Sequence, residues 1–509
     1  MKEYGLYIDG KFVPSAAEET IESLDPSNGE VVAVVARAGK RDARRAIEAA
    51  RRTFDAGTWS GLSPEARRDA LLAVVERFQE RLAEIAEIEA RDAGMTIRMA
   101  TSMMIGAALH ARELTEMAAS IPLIEPLPHN EFPHPSQNLR VREPYGVVSA
   151  ISPFNAPLTL SVWKVFPALA MGNTVVLKPS PYTPCSVMEL AQVFADSDVP
   201  PGAFNVLPGG AADVGEELVT NAMVDRVAFT GSTETGRRIA QLAGSTIKRV
   251  TLELGGKGAN IFLDDADLDL AIPTSLWGIF MHQGQVCQAG SRLFVPAKMA
   301  DEVTDRIATA AAQLRLGPTL SWDSDLGPVI SKVQLERIER YVELGRKEGA
   351  TLVTGGHRVT DDGLANGFYF APTVFAGVRN DMRIAQEEIF GPVLCVIPYT
   401  DADEVVRMAN DTIYGLTAGV WSRDIPRATA IARRLRAGTV WINEWQTLIA
   451  SAPYGGYGQS GLGKELGIDG ILEYTQTKHL WIDQVRELKG KLWAPLIGLD
   501  RIFEVRYDQ

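Results

Sequence analysis

The pattern of hydrophobic and polar positions changes at about residue 145. Before it, RDARRAIEAARRTF (41–54) and PEARRDALLAVVERFQERLAEIAEIEARDAG (64–94) place apolar residues three to four positions apart, which predicts two helices after a short strand pair. After it, short β-branched runs alternate with helix-length segments. The first runs are GVVSAIS, NTVVLKPS, FNVLPGG and RVAFTGS, at 146–152, 173–180, 204–210 and 226–232. This alternation predicts right-handed β-α-β units in a parallel, doubly wound sheet.

A second alternating series follows KRVTLELGGKGANIFL and predicts a second α/β domain. It contains a helix near 300–314 and strands near 350–354, 393–399 and 438–443. Between the helical N-terminal part and the first sheet lies a Pro-rich, polar stretch at 122–145, which indicates an arm and not a core segment. The C-terminal stretch that begins EYTQTKHLWID could pair with such an arm from another subunit. We therefore divide the chain into one domain of 1–121 and 146–255, a second of 256–470, and an arm and tail of 122–145 and 471–509.

Composition and charge exclude several classes of protein. At 509 residues, with 46% hydrophobic and 23% charged positions, the chain is too long for one core, and every apolar run is far shorter than a membrane span. The N-terminal MKEYGLYIDGKFVPS has no cationic segment followed by an apolar one, so we expect no secretory signal and a cytoplasmic location. A net charge of −13 argues against binding of nucleic acid.

The cysteines and histidines indicate neither a disulfide framework nor a metal site. Cys185, Cys287 and Cys395 are few and scattered, which is typical of reduced thiols. The six histidines form no HExxH motif and no paired His/Cys spacing. We expect no metal.

Two glycine-rich motifs are candidates for phosphate binding. GYGQSG (456–461) matches GxGxxG, but it follows Ser-Ala-Pro-Tyr near the end of the second domain, without the required strand, so we interpret it as a chance match. FTGSTETG (229–236) follows the strand RVAF and opens a helix, although a capping arrangement explains it almost as well. Lys178 ends a strand of the first sheet, where its ammonium could bind a ribose or a phosphate or could simply be solvated.

Three further residues suggest catalysis. Cys287 in FMHQGQVCQAGSR lies among small residues that let a substrate approach, although a buried core cysteine is the alternative. Glu253 in VTLELGGKG ends an apolar strand, where burial would raise its pKa and make it a base. Asn155 in SPFNAP could donate to an oxyanion. Together they make a nucleophile, a base and an oxyanion donor without a histidine.

From about residue 5 to about 483 the chain resembles the aldehyde dehydrogenase superfamily. The matching motifs occur in family order: PFNAP, LKPS, FTGSTETG, LELGGK, GQVCQAGSR, EEIFGPV, NDTIYGLTAGVW and PYGGYGQSGLGKELG. The resemblance implies an α/β protein with two doubly wound parallel-sheet domains, a Rossmann-like cofactor-binding domain (1–121 and 146–255) and a catalytic cysteine domain (256–470). It also implies a small β oligomerisation arm and assembly as a homodimer or homotetramer.

The resemblance further implies NAD or NADP as cofactor and a small-molecule aldehyde as substrate. Cys287 would attack the aldehyde, Asn155 would hold the oxyanion, hydride would pass to the nicotinamide, and Glu253 would activate water to hydrolyse the thioester. Glu465 would relay protons. Lys178 would bind the adenosine ribose, Ser232 the pyrophosphate, and Glu388 with Phe390 the nicotinamide ribose and ring. The remaining implied cofactor residues are Ile151, Ser152, Pro153, Phe154, Ser180, Gly231, Leu254 and Gly255.

Departures from the family pattern bear on specificity. Pro181 replaces the glutamate that NAD-preferring members usually carry three positions after the lysine, so we expect NADP use to be possible. Ala156 is smaller than the usual residue and would widen the substrate tunnel, whereas His282, where asparagine is common, has no explanation. The resemblance places these residues in the tunnel: Phe154, Ala156, Leu160, Trp163, Val286, Trp445, Leu448 and Tyr454, with Met103 at its edge. These walls favour a medium-sized hydrophobic or aromatic aldehyde, with an amino-aldehyde as the alternative because aromatic walls can hold cations.

Three other functions are less consistent with these residues. A CoA-acylating semialdehyde dehydrogenase generally lacks the carboxylate base that Glu253 would supply. A catalytically silent binding protein on the same scaffold has no need of Cys287, Glu253, Asn155 and Lys178 together. A cysteine hydrolase without cofactor would need a histidine in one of these motifs.

Overall fold

The protein, seen here as a computed structural model, is described over residues 2–506; position 1 of the first assigned domain and positions 507–509 of the assigned tail lie outside the described residues. The strands are β1 Lys2–Tyr4, β2 Leu6–Ile8, β3 Lys11–Val13, β4 Thr20–Leu24, β5 Val31–Ala36, β6 Ile124–Pro126, β7 Ser136–Pro144, β8 Val147–Ile151, β9 Thr174–Lys178, β10 Phe204–Val206, β11 Arg226–Thr230, β12 Arg249–Glu253, β13 Ala259–Phe262, β14 Arg292–Pro296, β15 Thr351–Thr354, β16 Thr373–Ala376, β17 Val393–Tyr399, β18 Thr417–Trp421, β19 Thr439–Ile442, β20 Gly461–Leu462 and β21 Thr475–Asp483.

The α-helices connect these strands and cover both faces of the sheets. They are α1 Lys40–Asp55, α2 Pro64–Glu80, α3 Leu82–Ala93, α4 Ile97–Ser120, α5 Pro157–Ala170, α6 Cys185–Ala195, α7 Glu216–Thr220, α8 Thr233–Gly244, α9 Leu268–Phe280, α10 Ala300–Ala311, α11 Lys332–Lys347, α12 Arg383–Gln386, α13 Ala402–Asn410, α14 Ile425–Ala432, α15 Gly467–Leu472 and α16 Leu499–Ile502.

The first large sheet has the order β20-β12-β11-β8-β9-β10-β2-β3. Its five central strands, β8 to β12, run parallel, and β8, β9 and β11 are buried at every position, as expected for a sheet covered on both faces. The chain builds outward from β8 through β9 and β10, then crosses to β11 and β12 on the other side of β8. The prediction of a doubly wound sheet is confirmed, and the crevice between the carboxyl ends of β8 and β11 is where such sheets bind ligands.

The second sheet has the order β15-β16-β17-β14-β13-β18-β19 and is parallel except for β15. From β13 the chain adds β14 to β17 on one side of the sheet and then β18 and β19 on the other, as the first sheet does around β8. A second doubly wound domain is therefore confirmed. A separate three-stranded sheet, β1-β5-β4, precedes α1.

The helical N-terminal part differs from the prediction in two respects. The single helix expected at 64–94 is two helices, α2 and α3, because Arg81 leaves helical geometry at φ −104° and ψ 8°. The Arg81 guanidinium there binds Glu84 at 2.9 Å and also binds Glu189 of α6. Sequence analysis left 97–120 unassigned, yet this stretch forms α4, whose buried alanines let it pack closely on α5.

The arm is a three-stranded sheet with the order β21-β7-β6. The C-terminal strand β21 pairs with β7 along nine residue pairs of the same chain, from Thr475↔Pro144 to Asp483↔Ser136. This corrects the expected pairing with another subunit's arm: the hydrogen-bonding edge of β7 is already occupied within the chain. Arg226 fixes the base of the arm, because its guanidinium lies 5.4 Å from the ring centres of both Tyr145 and Tyr474.

Residues 2–506 contain neither a helix suited to span a membrane nor a cluster suited to bind a metal. Within that range, no helix combines the length and apolarity needed to cross a bilayer. The same residues contain no group of three or more His, Cys, Asp and Glu side chains arranged to hold a metal ion.

Candidate active site

A cavity of about 650 Å³ opens at the carboxyl ends of the first sheet. The twelve residues that the resemblance assigned to the cofactor all line it, and so do Asn155, Leu160, Glu253 and Cys287. Segments distant in sequence meet here because the loops after β8, β9, β11 and β12 emerge at one edge.

The FTGSTETG segment forms one wall. Ser232 is the N-cap of α8 and accepts a hydrogen bond from the Thr235 backbone N–H at 3.2 Å. The positive end of the α8 dipole therefore faces the cavity, which suits a phosphate. By contrast, the GYGQSG segment lies outside this wall, where the Ser460 hydroxyl donates to the Gly255 carbonyl at 2.6 Å and accepts from the Gly415 N–H at 2.9 Å.

Lys178 lies at the end of β9 and is only 5% exposed, which excludes the solvated alternative. Its Nζ donates to the carbonyls of Pro179 at 2.9 Å and Gly209 at 3.2 Å. Burial lowers the pKa of this lysine to about 8. Pro181 lines the same part of the cavity, so the side chain at this position carries no charge toward a ribose.

The EEIF turn supplies the wall nearest the catalytic residues. The Glu388 carboxylate accepts from the Gly256 N–H at 3.0 Å, and burial raises its pKa to about 7. Phe390 adopts a left-handed φ of 60°, unusual for a bulky residue, and its ring packs edge-on against Phe154 at 5.6 Å.

Two residues that sequence analysis missed hold this turn. Gln334 of α11 donates to the carbonyls of Ile389 at 3.1 Å and Phe390 at 2.7 Å. Arg337 donates to the Glu388 carbonyl at 2.6 Å. Both line the cavity, but they belong to an ordinary amphipathic helix and no motif distinguishes them.

The segment before Cys287 is tightly constrained. His282, Gln283 and Gly284 have φ angles of 48°, 58° and 69°, and a Cβ on Gly284 would lie 2.3 Å from the Gly391 carbonyl oxygen. The Gln285 side chain accepts from the Ile330 N–H at 3.0 Å. These contacts fix the loop that presents the nucleophile.

His282, for which the sequence offered no explanation, is buried in this segment. Neither ring nitrogen has a hydrogen-bond partner among the residues described, and burial lowers its pKa to about 4. A neutral imidazole therefore fills a core position, and the structure assigns it no contact with the candidate site.

Asn155, Glu253 and Cys287 converge at one end of the cavity. The Asn155 amide donates to the Gln285 carbonyl at 2.8 Å, which orients it toward the loop of Cys287. Neither carboxylate oxygen of Glu253 has a hydrogen-bond partner within residues 2–506. Burial and the charge of Glu465 raise the Glu253 pKa well above its usual value. Burial and Glu253 in turn raise the pKa of the Cys287 thiol.

Glu465 lies behind Glu253 and does not line the cavity. Lys164 of α5 donates to its carboxylate and, at 2.6 Å, to the Thr230 hydroxyl. The second Glu465 oxygen has no partner in the part of the chain that is described. Sequence analysis missed Lys164, although it is the one charged residue of the buried helix α5 and is therefore a usable signal.

Some of the predicted tunnel residues lie at the cavity or beside Cys287, and the others pack in the hydrophobic cores. Leu160 lines the cavity, and Tyr454 places its hydroxyl 3.6 Å from the Cys287 sulfur. The Trp163 ring packs edge-on against Tyr454 at 5.7 Å, and its indole N–H donates to His110 at 2.9 Å. Ala156, Leu448 and Met103 join the same hydrophobic core, whereas Val286 packs in the second domain.

Trp445 requires a correction. It is fully buried, donates to the Gln288 carbonyl at 3.1 Å, and packs on Gly290 and on Gly278, where an added Cβ would lie 2.8 Å from the indole. The structure thus gives Trp445 a core role beneath the Cys287 loop in place of a position in the tunnel wall.

The comparisons with known proteins agree with this geometry. The aldehyde dehydrogenase family model matches residues 12–480. Betaine aldehyde dehydrogenase of Bacillus subtilis (strain 168) is 42% identical over 94% of this chain and 96% of its own length, and the putative aldehyde dehydrogenase DhaS of the same organism is 44% identical over 94% and 95%.

Solved structures give the same result. Betaine aldehyde dehydrogenase of Staphylococcus aureus, in complex with NAD+, superposes with a TM-score of 0.93 at 38% identity and 95% coverage of both chains. The NAD+ complex of an aldehyde dehydrogenase from Bacillus cereus superposes with a TM-score of 0.92 at 39% identity, covering 95% of this chain and 97% of that one. The chain belongs to the aldehyde dehydrogenase family.

Proposed function

We propose that this protein oxidises an aldehyde to the carboxylic acid with NAD+ or NADP+, through a thioester on Cys287 that water hydrolyses. The observation that carries the proposal is the convergence of Cys287, the oriented Asn155 amide and the unpaired Glu253 carboxylate at one end of the 650 Å³ cavity. A thiol nucleophile, an oxyanion donor and a base are the groups that this chemistry needs.

The rest of the cavity fits a dinucleotide. Lys178 would bind the adenosine ribose, the N-terminus of α8 at Ser232 would bind the pyrophosphate, and Glu388 with Phe390 would hold the nicotinamide ribose and ring. When bound, the nicotinamide supplies the acceptor for the hydride that leaves the substrate carbon.

The chain's own residues would perform the remaining steps. Cys287 forms the bond to the aldehyde carbon. The Asn155 side chain has two N–H groups, and since one is engaged by Gln285, the other can hold the oxyanion together with the Cys287 N–H. Glu253 takes a proton from the attacking water, and Glu465 with Lys164 offers that proton a path away from the site.

The buried Glu253 supports water as the acceptor of the acyl group over CoA. A carboxyl whose pKa is raised by burial can remove a proton from water near neutral pH. Transfer of the acyl group to CoA is the alternative that the activity assay distinguishes.

For the substrate we propose a medium-sized hydrophobic or aromatic aldehyde. Leu160 lines the cavity, Tyr454 lies beside the Cys287 sulfur with Trp163 packed on its ring, and Leu448 and the small Ala156 belong to the same apolar cluster. A quaternary-ammonium aldehyde is a second candidate. The perpendicular rings of Trp163 and Tyr454 can attract a cation, and two of the relatives compared above are betaine aldehyde dehydrogenases.

We further propose a homodimer or homotetramer that assembles through the arm. On β21, a strand at the edge of the arm sheet, Leu480, Trp481 and Ile482 are 41–46% exposed, and an exposed apolar edge strand is a template for pairing with another chain. A light-scattering mass equal to one chain would exclude this assembly. The cytoplasmic location stays a prediction.

Reduced-nicotinamide absorbance would test the proposed reaction. The purified protein is given NAD+ and NADP+ in parallel with aliphatic, aromatic and quaternary-ammonium aldehydes. We expect activity that Cys287→Ala abolishes and that the matched variant Cys395→Ala, which removes a buried thiol of the second sheet, retains. Product that appears only when CoA is added would replace hydrolysis with acyl transfer, and no reduction with any aldehyde would contradict the proposed function.

A further inference from the structure

The Tyr454 hydroxyl has an unusual environment. Its side chain is only 2% exposed, and within residues 2–506 the one hydrogen-bond partner of the hydroxyl is the Cys287 sulfur at 3.6 Å. A buried phenol normally finds a partner, because leaving the O–H unpaired in an apolar environment is costly. Either atom can donate in this contact while Cys287 is a thiol, but a thiolate sulfur can only accept, so the Tyr454 O–H is the donor once the thiol is ionised.

The position of Tyr454 is fixed by its backbone and by its ring. Its backbone N–H donates to the Glu465 carbonyl at 2.6 Å, and the Glu465 N–H donates back at 2.7 Å. Its ring packs edge-on against Trp163, whose indole N–H is held by His110 at 2.9 Å. The hydroxyl is therefore held beside the sulfur before any substrate arrives.

We infer that Tyr454 is a further catalytic residue of the proposed reaction: its hydroxyl donates a hydrogen bond to the Cys287 sulfur and stabilises the attacking thiolate. In the attack, the thiol proton passes to the Glu253 carboxylate, the sulfur lone pair forms the S–C bond, and the carbonyl π electrons move to oxygen. Tyr454 keeps its own proton throughout. This role differs from that of Asn155, which serves the oxygen and not the sulfur.

The other charged groups around the sulfur oppose thiolate formation. Burial, Glu253 and Glu388 all raise the pKa of the Cys287 thiol, whereas Tyr454 lowers it. Glu465 and its partner Lys164 lie one layer further away, behind Glu253. The Tyr454 O–H is the neutral donor in contact with the sulfur and opposes the effect of these carboxylates. Its removal should therefore raise the pKa of the Cys287 thiol.

Tyr454→Phe tests the inference because it removes the hydroxyl and keeps the ring on Trp163. The rate of Cys287 alkylation by uncharged iodoacetamide is measured from pH 6 to 10 on the full chain, by mass spectrometry of the Cys287 peptide. Loss of the donor should raise the thiol pKa by about one unit, a tenfold change in the thiolate fraction. Because a more basic thiolate is also more nucleophilic, the rate below the pKa should fall about threefold.

Tyr474→Phe is the matched control, since Tyr474 is equally buried at 3% exposure but packs on Arg226 at the arm; its alkylation profile should equal that of the unaltered protein. Unfolding temperatures of all three proteins are compared to show intact folding. A Tyr454→Phe profile identical to the control, or shifted to lower pH, overturns the inference. Alkylation needs no aldehyde, so the result stands apart from the proposed function: a shifted profile without aldehyde oxidation would support the contact and contradict the reaction.

Discussion

Asn155→Ala tests the oxyanion donor, and its effect on catalysis can be distinguished from its effect on the loop that presents Cys287. The structure leaves one amide N–H for the oxyanion, because the other donates to the Gln285 carbonyl at 2.8 Å. Loss of one preorganised donor typically costs about 3 to 4 kcal/mol in the transition state, so kcat should fall by roughly a hundredfold to a thousandfold. The Gln285 carbonyl also loses its partner, which should cost about 1 kcal/mol of folding stability, far less than the catalytic effect.

The assay is steady-state NAD(P)H formation by the purified variant at saturating aldehyde. Cys287 alkylation is measured on the same samples, because an intact loop should leave that rate unchanged. Asn155→Asp serves as the companion variant: it keeps the size of the side chain but offers carboxylate oxygens where N–H groups are needed, so it should be at least as slow. If Asn155→Ala retains kcat within tenfold of the unaltered protein while alkylation is normal, the amide does not hold the oxyanion.

Three further changes test other contacts of the site. Glu465→Gln removes the charge that raises the Glu253 pKa. Because Glu253 acts as a base when deprotonated, the acid limb of the pH–rate profile should move to lower pH by about one unit. An unmoved limb would refute the coupling between the two carboxylates. Pro181→Glu adds a carboxylate to the ribose end of the cavity and should raise the KM for NADP+ at least tenfold while changing that for NAD+ little, as measured by cofactor titration. His110→Leu leaves the buried Trp163 indole N–H unpaired and should raise the aldehyde KM several-fold. His110→Asn keeps a hydrogen-bond acceptor at that place and should restore the KM of the unaltered protein. Equal KM values for the two variants would show that the contact does not position the Trp163 ring.

The first sheet and three residues of the cavity wall could be predicted from the sequence because their signals are local. Each strand of the first sheet is a short apolar run bounded by turn residues, and Lys178, Ser232 and Glu253 each end or follow such a strand. Parallel strands bring their carboxyl ends to one edge, so residues that look unrelated along the chain meet in one cavity. The pattern therefore predicts the sheet and the meeting of these three residues, whereas Ile151, Glu388 and Phe390 were placed in the wall by the family resemblance alone.

The substrate side could not be predicted in the same way, because its contacts come from packing between distant helices and loops. The family resemblance places Trp445 in the tunnel, yet the indole packs against four glycines that only the folded chain brings together, Gly258, Gly278, Gly290 and Gly419. The α4 helix carries His110 to Trp163 although its alanine- and methionine-rich sequence attracted no assignment. Nor does any local pattern show that Gln334 supports the Phe390 turn from α11.

The nucleophile and the base belong to different sheets, so the site depends on how closely the two domains approach. Glu253 ends β12 of the first sheet, whereas Cys287 precedes β14 of the second. A Cβ on Gly256 would lie 2.3 Å from the Cys287 carbonyl oxygen, so the backbone there must lack a side chain. The segment containing Ser460 then returns to the first sheet, and its hydroxyl bridges Gly255 to Gly415 of the second domain. The GxGxxG-like motif is thus part of the connection between the two sheets, because Ser460 bonds to a residue beside each of them and Gly461 pairs with the base Glu253 itself.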